Sequence, residues 1–458
     1  MSRTDRVSSP EALDDADRRV ALHPFTQVGL RARTGGVLMH EARGVWLRDV
    51  HGHEYLDANA GLWCVNAGYG RAEIADAMAE QAHRLPFYHS FGGLGNDTSV
   101  RLADRLVSRL GAGTRRVFFG LSGSDANETQ LKLAHFYHRA LGRPGRTKVL
   151  ARRRAYHGVT FGAGSATGLA FAHEGFGLPL PGFVHLRAPH REREDPASSD
   201  AEFTRSLARE LEETLAREGP ETVAAFIAEP VMGAGGVLVP PEGYFTAIQP
   251  ILRRHDILFI SDEVICGFGR IGRWLGGERY GIEPDLVTLA KGLTSGYAPL
   301  SACLVGERVA EVLEAPGTPP FNHGYTYTGH PVSAAAALAN LDVLERERLV
   351  ERAEHSGALL QKLLRERLVG HPLVGDVRGV AMMAAVELAA DAASGRPFDP
   401  ALRVDQRMFQ LLLEEGVICR MMTGDAFGFS PALVATSEEL EEMVARFARA
   451  LDRLAAEL

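Results

Sequence analysis

The chain has little cysteine, no long apolar run and no excess of positive charge, and each absence narrows what it can be. Its four cysteines, Cys64, Cys266, Cys303 and Cys419, are widely spaced and form neither a CxxC pair nor part of a ligand cluster. That argues against a disulfide framework or a zinc site and for reduced thiols in a cytoplasmic setting. His51 and His53 flank Gly52 without further ligands, so no metal is expected. The first twenty residues are polar and mixed in charge, and no later segment is apolar for long enough to cross a bilayer. With 50 Lys+Arg against 58 Asp+Glu, the formal net charge is −8. Neither nucleic acid nor an anionic membrane is an expected partner.

What is present describes a soluble, multi-domain α/β chain. A length of 458 residues exceeds one ordinary core, and 45% hydrophobic with 24% charged residues is usual for a globular protein. Residues 1–15 read as a flexible tail, and 16–74 as the N-terminal part of a small domain with short strands at 44–49 and 54–57. Helical periodicity fills 71–85 and 98–110. Strand-like runs at 117–119, 148–150, 223–228, 257–260, 286–290 and 300–305 then follow, with a charged connector at 189–222 containing a helix over 201–217. This pattern predicts a large domain over 75–325 with a mostly parallel sheet. A long helical pattern from 331 to 368 turns from alanine-rich to charged. It is expected to bridge into a C-terminal part, 326–458, with strands at 377–388, 417–420 and 427–429 and helices at 401–415 and 437–457.

The densest chemistry lies between Asp262 and Lys291, in DEVICGFGRIGRWLGGERYGIEPDLVTLAK. An apolar β-branched run stops at an acidic pair, passes through a glycine-rich loop, and resumes as a second strand that delivers one lysine into another glycine-rich turn. Ligands bind beyond the carboxyl ends of buried parallel strands, so both charged groups stand where a site would be. A partly desolvated amine loses its charge more readily and can form a Schiff base with a carbonyl. A carboxylate in such a place suits a cationic partner such as a protonated pyridine nitrogen. Taken singly, Lys291 reads equally as a solvated lysine and Asp262 as a helix cap; the pair within this glycine pattern is the informative feature.

Upstream, the run at 117–119 leads into SGSDANETQLKLAHFY. Glycine permits close backbone approach, Ser124 offers a hydroxyl, and a helix start presents free N–H groups, which together can cradle a phosphate. An ordinary serine N-cap has the same composition. Tyr156 stands in an AYHG turn, Glu229 ends a buried strand at Glu-Pro, Trp63 lies in GLWCVNAGYGR, and Arg420 ends a strand in GVICRMMTGD.

The strings DEVICGFGR and AKGLTSGYAPL, with the SGSDAN and YHG turns, resemble the class III aminotransferases, most closely the ω-amino acid:pyruvate and amine:pyruvate branch. The resemblance covers about residues 20–455. It implies a fold type I pyridoxal-phosphate-dependent transferase, α/β, with a large domain holding a mostly parallel seven-stranded-type sheet and a smaller α/β domain. It implies pyridoxal 5'-phosphate as cofactor, bound covalently by Lys291, with Asp262 on the pyridine nitrogen and Val264 and Tyr156 on opposite ring faces. Glu229 would belong to the ring environment, and Gly123 and Ser124 to the phosphate. Thr326 would reach the phosphate of a second subunit, which implies a homodimer, with a dimer of dimers left open. Phe25, Trp63 and Phe91 would wall the substrate pocket, and Arg420 would bind a carboxylate bidentately. The implied reaction passes an amino group from an amine or ω-amino acid, such as β-alanine or an arylalkylamine, to a keto acid, pyruvate foremost. A 4-aminobutyrate- or ornithine-type enzyme using 2-oxoglutarate, and an aminomutase on the same fold, remain alternatives.

Overall fold

The computed structural model describes residues 9–111 and 113–458. Near the N-terminus, β1 (Met39–Arg43), β2 (Trp46–Asp49) and β3 (Glu54–Asp57) form an antiparallel ribbon. Seven further strands, β4 (Thr114–Gly120), β5 (Lys148–Arg152), β6 (Phe183–Leu186), β7 (Val223–Ala228), β8 (Leu258–Asp262), β9 (Leu286–Leu289) and β10 (Ser301–Gly306), make one sheet. Its order is β4-β10-β9-β8-β7-β5-β6, and β10 alone runs against the rest. Every residue of β7, β8 and β9 is buried. That is why these strands read as continuous apolar runs without alternation: helices cover both faces. On one side Asp200–Glu218 and Tyr244–Arg254 pack together over Phe203, Phe226, Phe245 and Phe259.

The C-terminal strands are β11 (Val374–Val380), β12 (Met383–Leu388), β13 (Val417–Ile418), β14 (Arg420–Met422) and β15 (Ala426–Phe429). Four of them form a sheet in the order β11-β12-β15-β14, while β13 leaves to pair in parallel with β3. The chain therefore changes sheets at Cys419, and Arg420 is the first residue on the far side. The single strand expected over 417–420 is thus two.

Other expectations also divide. The helical pattern of 331–368 is two helices, Pro331–Arg346 and Leu349–Leu368, broken where Arg348 takes the left-handed conformation (φ 51). The strand expected at 377–388 is a hairpin, turning at Ala381 (φ 46). Both breaks fall at residues with no intrinsic turn preference, so local composition does not announce them. The flexible tail expected over 1–15 is helical from Pro10 to Val20: Ser9 accepts a hydrogen bond from Ala12 N, and proline opens the first turn. Asp17 on this helix pairs with Arg31 and His23, which fastens it down. Residues 1–8 lie outside the described residues.

Leu349–Leu368 crosses the β11–β12 turn at Gly357, where an added Cβ would come within 2.3 Å of the Ala381 backbone. Backbone cannot swing aside as a side chain can. Gly357→Val should lower folding stability by about 3 kcal/mol or abolish soluble expression, measurable as the denaturation midpoint beside the parent chain.

Candidate active site

β8 and β9 are parallel neighbours with Asp262 opposite Thr288, so Lys291 emerges three residues beyond the row that holds the carboxylate. β7 adds Glu229 just past its own end. Lys291 is left-handed (φ 46) and half-buried. Burial pulls its ammonium pKa down, against the opposing fields of Cys64, Asp262 and Glu229. The chain contains only four lysines. Lys132 contacts His323, Lys148 pairs with Glu218 and Lys362 with Glu366. Among the described lysines, Lys291 alone has no hydrogen bond or ion pair at its side-chain amine.

Asp262 is buried and firmly held. Its Oδ2 accepts from Asn127 Nδ2 and from His157 Nδ1, each at 2.7 Å, and its Oδ1 accepts from Val264 N at 3.1 Å. Asn127 also donates to the His157 carbonyl at 2.7 Å. A carboxylate has about four acceptor positions, so capacity remains for one further cation. Neither His157 nor Asn127 stands out in the sequence, although both lie inside the YHG and SGSDAN turns. Their reach to Asp262 spans 105 and 135 residues, and no local pattern encodes it.

Glu229 accepts from Tyr156 N at 3.1 Å and Gly233 N at 2.8 Å, and burial raises its pKa. Tyr156 thereby sits over the same strand ends, and Arg420 is the charge that most opposes the burial-driven rise of its phenol pKa. Trp63 is buried, with Lys291 Nζ 5.7 Å and the Arg420 guanidinium 6.0 Å from its ring. Arg420 has no carboxylate partner among the described residues, and burial lowers its pKa.

Gly123 and Ser124 open the 18-residue helix Gly123–Ala140, whose N-cap is Ser122 in a capping box with Asp125. The Ser122 hydroxyl is therefore taken by Asp125 N, while the first-turn N–H groups of Gly123 and Ser124 have no place in the intrahelical ladder. A Cβ on Gly123 would lie 2.9 Å from Val264 Cγ1, so Val264 closes over the helix start. Ser124 Oγ accepts from Val159 N at 3.2 Å. An unpartnered amine, a carboxylate with spare acceptor capacity and a helix N-terminus thus converge, and this donor set fits pyridoxal phosphate: an aldehyde, a pyridine nitrogen and a phosphate.

Three expected site residues lie elsewhere on the chain. Phe25 is exposed and meets Phe171 edge-on at 5.7 Å. Phe91 is exposed and lies against Gly324, and Thr326 is exposed in the same loop. Among the described residues, no hydrogen bond or ring contact joins any of the three to the Lys291 cluster.

Sheet, lysine and carboxylate together define a pyridoxal-phosphate-dependent transferase of fold type I. The model of the class-III aminotransferase family matches residues 31–451, and the chain belongs to that family. It is 47% identical over 457 residues to a diaminobutyrate–2-oxoglutarate transaminase of Halomonas elongata, covering 98% of this chain and 97% of the relative. It is 42% identical over 440 residues to a putrescine–pyruvate aminotransferase of Pseudomonas aeruginosa, covering 95% and 94%. The solved ω-transaminase of Pseudomonas jessenii in complex with PMP superposes with a TM-score of 0.93 at 41% identity, over 97% of this chain and 98% of that one. The chain is an enzyme, an aminotransferase dependent on pyridoxal phosphate.

One carboxylate beside the site supplies a pH test. Glu263 accepts from Gly276 N and Gly277 N, each at 2.7 Å, and burial pushes its pKa from 4.5 up to about 7. Between those pH values the folded chain holds a proton that the unfolded chain has released. Stability therefore falls as pH rises through this window, and the loss is complete above about 7. Glu263→Gln should flatten the decline in melting temperature from pH 4.5 to 7; an unchanged slope would assign the titration to another group.

Proposed function

We propose that this aminotransferase is an ω-transaminase, moving the amino group of a primary amine or ω-amino acid, such as β-alanine or an arylalkylamine, to pyruvate. The observation that carries the site assignment is Lys291, the one lysine without a polar side-chain partner among the described residues, placed beside Asp262 at adjoining strand ends and within its field. Pyridoxal phosphate, when bound, supplies the electron sink that makes a proton on the substrate's amine-bearing carbon removable. Lys291 Nζ, its charge weakened by burial, takes that proton and returns it during transfer. Asp262 holds a proton on the ring nitrogen, with Asn127 and His157 keeping its carboxylate in place. Gly123 and Ser124 bind phosphate through first-turn N–H groups. Val264 and Tyr156 would hold the ring by apolar and aromatic contact, and Glu229 fixes the Tyr156 backbone.

Arg420 receives the keto-acid carboxylate. Its lack of an internal carboxylate partner supports this, since a half-buried guanidinium is otherwise uncompensated. Trp63 walls the pocket beside it. Phe25 adds to the aromatic wall, and the partner subunit's Phe91 and Thr326 complete the site in a homodimer, with Thr326 at the phosphate. Their exposure on a single chain supports that arrangement. The same reading assigns 75–325 to a large cofactor-binding domain and 16–74 with 326–458 to a small one, in keeping with the β3–β13 pairing, and places the enzyme in the cytoplasm.

A second reading has 2-oxoglutarate as acceptor, favoured by the Halomonas relative's name. A panel of β-alanine, diaminobutyrate, putrescine and an arylalkylamine, each assayed with pyruvate and with 2-oxoglutarate, separates the two. Transfer to 2-oxoglutarate alone would overturn the pyruvate reading.

Lys291→Ala should abolish turnover while leaving folded protein, and borohydride should fix the coenzyme to no peptide but that of Lys291 in the parent enzyme. Arg420→Ala should raise KM for pyruvate by about tenfold or more, in line with loss of a charge-assisted bidentate contact, while KM for an arylalkylamine changes little; equal losses would argue against the carboxylate role.

A further inference from the structure

Trp63 sits on a strained loop that one buried carboxylate organises. β3 ends at Asp57, which is 1% exposed. Its Oδ1 accepts from Asn59 N at 2.9 Å, and its Oδ2 accepts from Gly61 N at 2.6 Å and from the Tyr69 hydroxyl at 2.7 Å. Asn59 in turn donates from Nδ2 to the Gly61 carbonyl at 3.0 Å, and its own carbonyl accepts from Trp63 N at 2.9 Å. Within this loop Ala60, Gly61 and Trp63 have φ of 45, 71 and 57. Residues with a Cβ avoid that region, so Ala60 and Trp63 keep it only because the surroundings over-determine it. Asp57 binds the chain at 59, 61 and 69, on both sides of Trp63.

The same residue also indexes the opposite wall. Asp57 stands in parallel register with Ile418, and Ala58 N donates to the Ile418 carbonyl at 3.0 Å. Arg420 follows two residues later, where the chain changes sheets. Trp63 and Arg420 thus leave adjoining strand ends, which is how the guanidinium comes to lie 6.0 Å from the indole with Lys291 Nζ 5.7 Å from the same ring.

We infer that Asp57 is a positioning residue that sets the width of the substrate pocket. By holding Asn59, Gly61 and Tyr69 it keeps Trp63 in its left-handed conformation, and so fixes the gap between the indole, Lys291 and Arg420 and the bulk of amine admitted there. This rests on the proposed reading of Trp63 as a pocket wall. The sequence gives no hint of it, because an aspartate at a strand end reads as a turn former.

The test uses the holoenzyme of Asp57→Asn and Tyr69→Phe with a small aliphatic amine and a bulky arylalkylamine against one keto acid. Asparagine keeps the shape but turns one acceptor into a donor facing other donors. Tyr69→Phe removes one of the three bonds and spares the carboxylate. The ratio of kcat/KM for bulky over small donor should rise by about tenfold in Asp57→Asn, through KM, and shift the same way by less in Tyr69→Phe. Borohydride labelling at Lys291 should persist in both. A merely structural role would lower both donors alike, and an equal loss or an unchanged ratio in the two variants overturns the inference. If Asp57→Asn fails to fold, Tyr69→Phe decides by the same ratio. Trp63→Ala separates the two levels. A ratio unmoved there removes the wall reading and this inference with it; a ratio that moves there but in neither other variant removes the positioning role alone.

Discussion

The register between β8 and β9 is the constraint on which the rest of the structure depends. Side chains alternate faces along a strand, so a slip of one residue would turn Asp262 away from the site and carry Lys291 to the wrong side of the sheet. Several contacts hold the register beyond the ladder itself. Glu263 N donates to the Thr288 carbonyl at 2.9 Å, extending the pairing past the end of β8. Its carboxylate then captures Gly276 N and Gly277 N, tying the long loop between the strands back to the strand that begins it. Phe259 N donates to Asp285 just before β9 starts. The distance between the amine and its facing acid is therefore a property of the sheet and its loop together.

Around that pair the chain buries three carboxylates, Asp262, Glu229 and Glu263, without giving any of them a lysine or arginine. Backbone N–H groups, one amide, one imidazole and the Ser261 hydroxyl satisfy them instead, which lowers the cost of burial. The consequence falls on Lys291. Low dielectric surroundings pull its pKa down, the nearby acids oppose the pull, and no direct ion pair locks the amine in its charged form. A cationic partner at Asp262 would consume the one carboxylate that would be needed for another purpose.

Phe91 and Thr326 follow a different logic. Phe91 lies against Gly324, and Ser90 Oγ donates to the Thr328 carbonyl, so the 87–94 segment and the 321–330 loop form one surface patch. That loop is anchored on the cradle helix by His323 and Tyr325, which both reach Thr129. Phe91 and Thr326 are thus held at the surface by a loop tied to the helix that carries Gly123 and Ser124, and among the described residues neither has a hydrogen bond or ring contact to the Lys291 cluster.

The sequence by itself determined the parallel core and its landmarks. β7, β8 and β9 are legible because strands buried on both faces must be continuously apolar, and Asp262 and Lys291 are legible as a pair because both end such runs within one glycine-rich pattern, whereas Glu229 is marked only by the family resemblance. Ser9 and Pro10 carry a helix start whose capping chemistry is local and readable, within a stretch whose polar composition reads as a tail. What the tertiary structure alone decided is everything joined across distance: His157 and Asn127 on Asp262, Asp57 on the Trp63 loop, the sheet change at Cys419 that delivers Arg420, and the breaks at Arg348 and Ala381. At Trp63, Arg348 and Ala381 the backbone takes a left-handed conformation that its own residue type does not prefer. Only contacts from remote segments, fixed once the sheets have assembled, supply the free energy that holds it there.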